Sequence, residues 1–274
     1  MHMAGKNSNL QRWVTGVPLA VAILLIILLG SVELLTIVIT GIAVIGILEY
    51  NKIVFGPGFQ KEKIESVFFA LLIPPVVLLG NPSLLTAVLV FAFIIVFIAF
   101  LWKVTESSFE IASVAKVIFG IVYIPLLTSH FILLRKLDEG IYWIFLVLVI
   151  AIIGDTVALY VGKSLGKRKL IALVSPGKTV EGTLGLIVGA TISACVFGYF
   201  LIPDVSLYHF LILGFTGGII GQLGDLCESA IKRNYGLKDA SSLLPGHGGM
   251  LDRLDSLIFI APYIYYYKIF VVDL

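Results

Sequence analysis

The sequence predicts an all-α, polytopic integral membrane protein of about nine transmembrane helices, with a polar active-site cavity at their cytoplasmic ends. Three observations carry that prediction. The 274 residues are 59% hydrophobic and only 13% charged, where soluble domains run at about a quarter charged. Mean hydropathy is +1.08, and the apolar residues fall into runs near the roughly 20 residues that a spanning helix needs. The ionisable residues that interrupt these runs gather toward one end of them.

Residues 1–13 form a polar, tag-like tail that is set aside from the fold. The expected spans then cover 14–30, 32–53, 66–80, 84–102, 114–134, 141–162, 183–202, 207–231 and 254–271. The first reads as a retained helix, because no small-residue cleavage site separates it from the second. The third is short and carries Pro74-Pro75, which predicts a kink or a tilt. GNPS at 80–83 and IPDVS at 202–206 supply tight polar turns. The tail is thus followed by N-terminal helices over 14–136 and a C-terminal catalytic region over 137–274.

Lys and Arg set the orientation, because cytoplasmic loops carry them in excess. With nine spans alternating, all of the 19 Lys and Arg fall on one side except Arg135, Lys136 and Lys268. That bias places the N-terminus and the two large polar loops in the cytoplasm. Tyr263, Tyr265, Tyr266 and Tyr267 then mark the outer interface, where aromatic side chains anchor helices. Cys195 and Cys227 lie far apart without CxxC or Cys/His spacing, so neither a disulfide framework nor a zinc site is expected.

The acidic residues meet at the same face. Asp155 lies near the end of the sixth span, Glu181 at the entry to the seventh, Asp225 and Glu228 near the end of the eighth, and Asp252 and Asp255 at the start of the ninth. Ionisable groups in or beside spans are costly unless paired or solvated, which marks them as functional candidates. Asp225 with Glu228, and Asp252 with Asp255, are spaced i,i+3, so each pair is expected to share a helix face. Two such pairs suit Mg²⁺, which takes hard oxygen ligands and adds substrate phosphate. Capping of the ninth helix is the plainer use of Asp252 and Asp255. Lys178 sits between Gly177 and Thr179 at a helix start, where backbone N–H groups favour an anion. A phosphate-binding Walker loop is excluded, because GKT at 177–179 would need Gly where Ala172 stands, and GKS at 162–164 would need Gly where Val157 stands. His247 lies in PGHGG, whose glycines let a phosphate or base approach the backbone.

Residues 229–255, SAIKRNYGLKDASSLLPGHGGMLDRLD, resemble the signature of the CDP-diacylglycerol synthases, also called phosphatidate cytidylyltransferases. The matching positions are Ser229, Lys232, Arg233, Lys238, Asp239, Ser241, Pro245, His247, Gly248, Gly249, Asp252, Arg253 and Asp255. The likeness continues upstream through GDLCES and through GDTVALYVGKSLGKRKL and SPGKTVEG, so it covers the C-terminal half. Gly177 stands where the family often has a second Lys, and Cys227 where another small or apolar residue is usual.

The resemblance implies the reaction of CTP with phosphatidate to give CDP-diacylglycerol and pyrophosphate, with Mg²⁺ as cofactor. It also implies a homodimer in the cytoplasmic membrane, with no nucleic acid among its partners. Asp225, Asp252 and Asp255 are the expected metal ligands, with a second cation compatible with them. Lys238 and Asp239 join these three in the expected catalytic set. Substrate contacts are expected from Ser175, Lys178, Thr179, Glu181, Lys232, Arg233, His247, Gly248, Gly249 and Arg253, with Asp155 facing the same cavity. An ether-lipid phosphate or a lipid alcohol is the alternative acceptor. A transporter is the competing class, but its carboxylates would sit at the midplane and its halves would repeat, neither of which the sequence displays.

Overall fold

The computed structural model describes residues 18, 20–102, 111–241 and 248–274. It is helical almost throughout: α1 (Ala20–Leu29), α2 (Val32–Val54), α3 (Gln60–Leu79), α4 (Pro82–Leu101), α5 (Ala112–Ile121), α6 (His130–Arg135) and α7 (Gly140–Leu165). A short hairpin follows, β1 (Lys169–Ile171) and β2 (Ser175–Thr179), then α8 (Val180–Leu201), α9 (Leu207–Asn234), α10 (Leu251–Leu254) and α11 (Leu257–Tyr267). A π-helical turn at Val122–Leu126 and a second at Lys268–Val272 extend α5 and α11.

Among the described residues, seven helical segments are long and apolar enough to cross a membrane: Val32–Val54, Pro82–Leu101, Ala112–Arg135, Gly140–Leu165, Val180–Leu201, Leu207–Asn234 and Leu251–Val272. Two expected spans are not among them. Of 14–30, the described helix is the shorter Ala20–Leu29. Residues 66–80 belong to α3, which runs through Pro74 and Pro75 but opens with Lys61, Glu62, Lys63 and Glu65. Those charges dilute the apolar character that a spanning helix requires.

Local chemistry explains the helix limits. Ser31 Oγ and Asn81 Oδ1 accept from the backbone N–H groups of Leu34 and Leu84 at 3.3 and 3.2 Å, capping α2 and α4. Gly80 closes α3 in the left-handed region at φ 70°, where a side chain would be strained. Pro125 leaves the π turn short of a donor, and the hydroxyls of Thr128 and Ser129 donate to the carbonyls of Ile124 and Pro125.

Contacts divide the chain into two units: Met1–Leu133 with Asp239–Leu251, and Leu134–Lys238 with Asp252–Leu274. The segment from Asp239 to Leu251 groups with the N-terminal helices, although it follows α9 in sequence. In the first unit, Ala43, Ile47, Ala70, Ile73 and Val117 are fully buried, and Tyr50 Oη donates to the Lys116 carbonyl at 2.9 Å. In the second, α8 lies against both α7 and α9. Small residues permit that approach: a Cβ on Gly214 would meet Thr191 Cα at 2.6 Å, and one on Gly189 would meet Val157 at 2.7 Å. Helices in lipid associate through such close packing, since burial of apolar surface between them gains little. The hairpin is the one departure from an all-α chain among the described residues. β1 pairs antiparallel with β2, with Lys169 opposite Thr179 and Ile171 opposite Ser175.

Candidate functional site

The second unit gathers the polar chemistry at one end of its helices. Thr179 ends β2 and caps α8, its Oγ1 accepting from Gly182 N at 3.1 Å. Lys178 is therefore the penultimate strand residue, just before the cap of the helix that it was expected to precede. Asp155 lies ten residues before the end of α7 at Leu165, about three turns inside it. Asp225 lies nine residues before the end of α9 at Asn234, on the same face as Gln222.

Two adjoining clefts share Asp155 and Asp225 in their walls. The first, of about 480 Å³, is lined also by Lys178, Thr179, Gln222 and Lys163. The second, of about 450 Å³, adds Asp252, Arg253, Asp255 and Ser256. Seven of the expected residues thus line the two clefts: Asp155, Lys178, Thr179, Asp225, Asp252, Arg253 and Asp255.

Their pairing is specific. Lys178 Nζ lies 2.5 Å from Asp225 Oδ2. Lys232, only 7% exposed, lies 2.6 Å from Asp252 Oδ1 and also pairs with Glu228. Removing one member of a buried pair leaves a charge without compensation, at a cost of about 3–5 kcal/mol. Lys232 therefore serves first to neutralise two carboxylates. Asp255 receives the N–H of Ser256 at 2.8 Å. Asp252 and Asp255 do not share one helix, because α10 stops at Leu254 and α11 starts at Leu257. Gly224 explains how α9 tolerates that break: a Cβ there would stand 2.5 Å from the Asp255 carbonyl oxygen.

Other expected contacts have structural occupations. Glu181 accepts from the N–H groups of Lys167 and Arg168 at 3.0 and 3.2 Å. Arg233 donates through Nε to the Val174 carbonyl at 3.1 Å and through Nη1 to the Leu237 carbonyl at 2.7 Å. The two side chains fasten the start and the tip of the hairpin. Ser175 opens β2. Lys238 and Asp239 are exposed beyond α9 and line neither cleft. His247 lies outside the described residues. Gly248 adopts φ 81°, and Gly249 is approached by the Glu49 carboxylate, which would stand 2.8 Å from a Cβ.

Sequence reasoning missed Glu49 and Gln222. In the first unit, Glu49 accepts from Ser241 Oγ at 2.5 Å, Met250 N at 3.0 Å and Leu251 N at 2.9 Å. Its signal was an acid deep in an apolar span, the same mark that picked out Asp155. Gln222 had a weaker signal, an amide one turn before Asp225 in a glycine-rich run.

Magnesium is commonly held by one or two carboxylates plus substrate phosphate. Among the described residues no three Asp, Glu, His or Cys side chains converge tightly enough to hold a metal ion by themselves. Asp155 and Asp255 form no ion pair among those residues, and each lies within the field of Asp225. That donor set, short by the oxygens a phosphate would supply, fits a hard divalent cation.

Comparison with known proteins places this arrangement. The family model described as "Cytidylyltransferase family" matches residues 10–271. A Bacillus subtilis protein named phosphatidate cytidylyltransferase is 41% identical over 164 residues, 60% of this chain and 61% of its own length. Proteins of the same name from Staphylococcus saprophyticus and Haemophilus influenzae are 37% and 41% identical, over 57% and 48% of this chain and 57% and 48% of their own lengths. The matched stretches thus span less than two thirds of these relatives. The family match runs through nearly every element that lines the clefts, and the chain belongs to the cytidylyltransferase family.

Proposed function

We propose that the protein is a CTP:phosphatidate cytidylyltransferase, forming CDP-diacylglycerol and pyrophosphate. The observation that carries the reading is the convergence of Asp155, Asp225, Asp252, Asp255 and Lys178 on one polar region at the helix ends, in a chain similar to proteins named phosphatidate cytidylyltransferase. One substrate of such a reaction is a lipid whose phosphate lies at the membrane surface, and the other is a soluble polyanion. Clefts opening at helix ends suit their meeting.

In the proposed step an oxygen of the phosphatidate phosphate attacks the α-phosphorus of CTP in line. A new P–O bond forms, the bond from the α-phosphorus to the bridging oxygen breaks, and pyrophosphate leaves with the electron pair. Phosphate oxygens are already nucleophilic at neutral pH, so positioning and charge neutralisation carry the catalysis. Lys178 and Arg253 bind phosphoryl oxygens, and Thr179 fixes the start of α8 behind Lys178. Lys232 holds Asp252 at the wall of the second cleft. Asp225 and Asp255, with Asp155 behind them, would hold a magnesium ion, whose charge would neutralise the phosphoryl oxygens. The full arrangement has nine spans and clefts that face the cytoplasm from the inner membrane, as the Lys and Arg distribution supports, and it pairs as a homodimer, as the resemblance implies.

The test is pyrophosphate release from CTP by the purified protein in mixed micelles, with and without phosphatidate. Release that depends on phosphatidate is expected, together with CDP-diacylglycerol in the lipid fraction. Asp255→Asn should lower kcat by about 100-fold or more, the scale on which removal of a charge-stabilising group acts, with an unchanged melting temperature. A wild-type protein that yields no pyrophosphate overturns the reading.

A further inference from the structure

Gln222 is a buried amide without an assigned use. It is 7% exposed, lines the first cleft with Lys178, Thr179, Asp155 and Asp225, and its Nε2 has no hydrogen-bond partner among the described residues. More than nine in ten buried polar groups in folded proteins are paired, so an orphaned one calls for an explanation. Packing of α9 does not supply one. The neighbouring Gly218 lies against Ala190 and Leu186, and Gly221 against Ile260 and the Cβ of Ser256, and none of these gives the Gln222 Nε2 a hydrogen bond.

The surroundings define what the amide would take. Lys178 lines the same cleft, its ammonium paired with Asp225. A further N–H donor beside that ammonium group matches an anionic oxygen acceptor. The terminal torsion of a glutamine is broad, so the amide turns its N–H toward the cleft without moving α9. Being neutral, it adds a donor without adding another charge next to Asp155 and Asp225.

We propose that Gln222 is a phosphoryl-binding residue: its side-chain N–H donates to a phosphate oxygen seated beside Lys178. This rests on the nucleotidyl-transfer reading above, which makes both substrates phosphates. The phosphate comes either from the nucleotide or from the lipid headgroup, and the experiment separates the two.

Gln222→Met keeps the length and removes the donor, and Gln222→Glu keeps the shape and replaces the donor with a carboxylate oxygen. For each full-length variant in detergent, the KM for CTP, the KM for phosphatidate, and the calorimetric affinity for inorganic pyrophosphate are compared with wild type, alongside the melting temperature. Gln222→Met is expected to raise the constants for the phosphate it contacts about tenfold, with a melting temperature equal to or above wild type, because an orphaned buried donor has been removed. Gln222→Glu is expected to weaken them further. A loss shared by CTP and pyrophosphate assigns the contact to the nucleotide phosphates, and a loss confined to phosphatidate assigns it to the lipid phosphate. All constants within twofold of wild type overturn the proposal, as does a loss for CTP that spares both pyrophosphate and phosphatidate. Pyrophosphate affinity decides the matter without turnover, so failure of the enzymatic reading is seen separately, as a wild type that binds pyrophosphate but releases none.

Discussion

Glu49 shows how one side chain ties together distant positions of the chain. Its carboxylate takes the hydroxyl of Ser241 on one side of the 242–247 segment and the backbone N–H groups of Met250 and Leu251 on the other. An amide at this position offers one acceptor in place of two and turns an N–H toward another donor. Glu49→Gln is therefore expected to lower the melting temperature in detergent by several degrees, for about 1–3 kcal/mol per buried group left unsatisfied. A melting curve that overlays wild type would remove Glu49 from this role. The sequence reading passed over this residue, an acid near the end of an apolar run. Its partners could not be read there, because they lie 192 to 202 positions further along the chain. Asp155, Lys178, Asp225, Asp252 and Asp255 were legible for a simpler reason. The aspartates are ionisable groups in or beside apolar spans, which would not carry them without a use, and Lys178 was marked by its place at a helix start.

At the scale of elements, the helices were legible and their interruptions were not. Twenty apolar residues in a row announce a span, and the turns at 80–83 and 202–206 appear where Gly, Asn and Pro fall. The hairpin at 169–179 carries no alternation long enough to read as strand, and three- and five-residue strands survive because Arg233 and Glu181 fasten them from neighbouring elements. The break at Asp255 and Ser256 was hidden as well, because LDRLDS has neither Gly nor Pro to mark it. Its support lies across the helix interface, at Gly224. Gly224→Ala places a Cβ 2.5 Å from the Asp255 carbonyl, a backbone atom that cannot swing aside. It is expected to cost at least tenfold in kcat/KM and to lower the melting temperature. Gly41→Ala, with open space around it on α2, should retain activity and gain up to about 1 kcal/mol of helix stability. Equal behaviour of the two variants in turnover and thermal melts would refute the argument from close approach.

For the whole molecule, the proposed orientation, with the clefts opening to the cytoplasm, can be tested by labelling. In a background lacking Cys195 and Cys227, Lys167→Cys and Lys238→Cys are expected to react with an impermeant maleimide only in inside-out membrane vesicles. Asp204→Cys, at the far end of α8, is expected to react only in right-side-out vesicles. The opposite pattern would invert the orientation and leave the clefts facing away from the CTP pool. The count of spans was only partly legible. Length and composition support seven among the described residues, and α3, with its charges gathered at one end, does not meet the apolar measure of a span.

The ion pair between Lys178 and Asp225 has a consequence for how any phosphate is received. The lysine is not waiting with an unsatisfied charge, since a carboxylate of the protein already occupies it. On the proposed function, arrival of a phosphoryl group would be an exchange of one anion for another, and the affinity observed would be the difference between two attractions. Asp225 would act as a tethered competitor, weakening capture of stray inorganic phosphate more than that of a polyphosphate with several oxygens to offer. The same exchange would release the Asp225 carboxylate into the cleft at the moment the ligand arrives, so that the ligand itself sets the timing of the site.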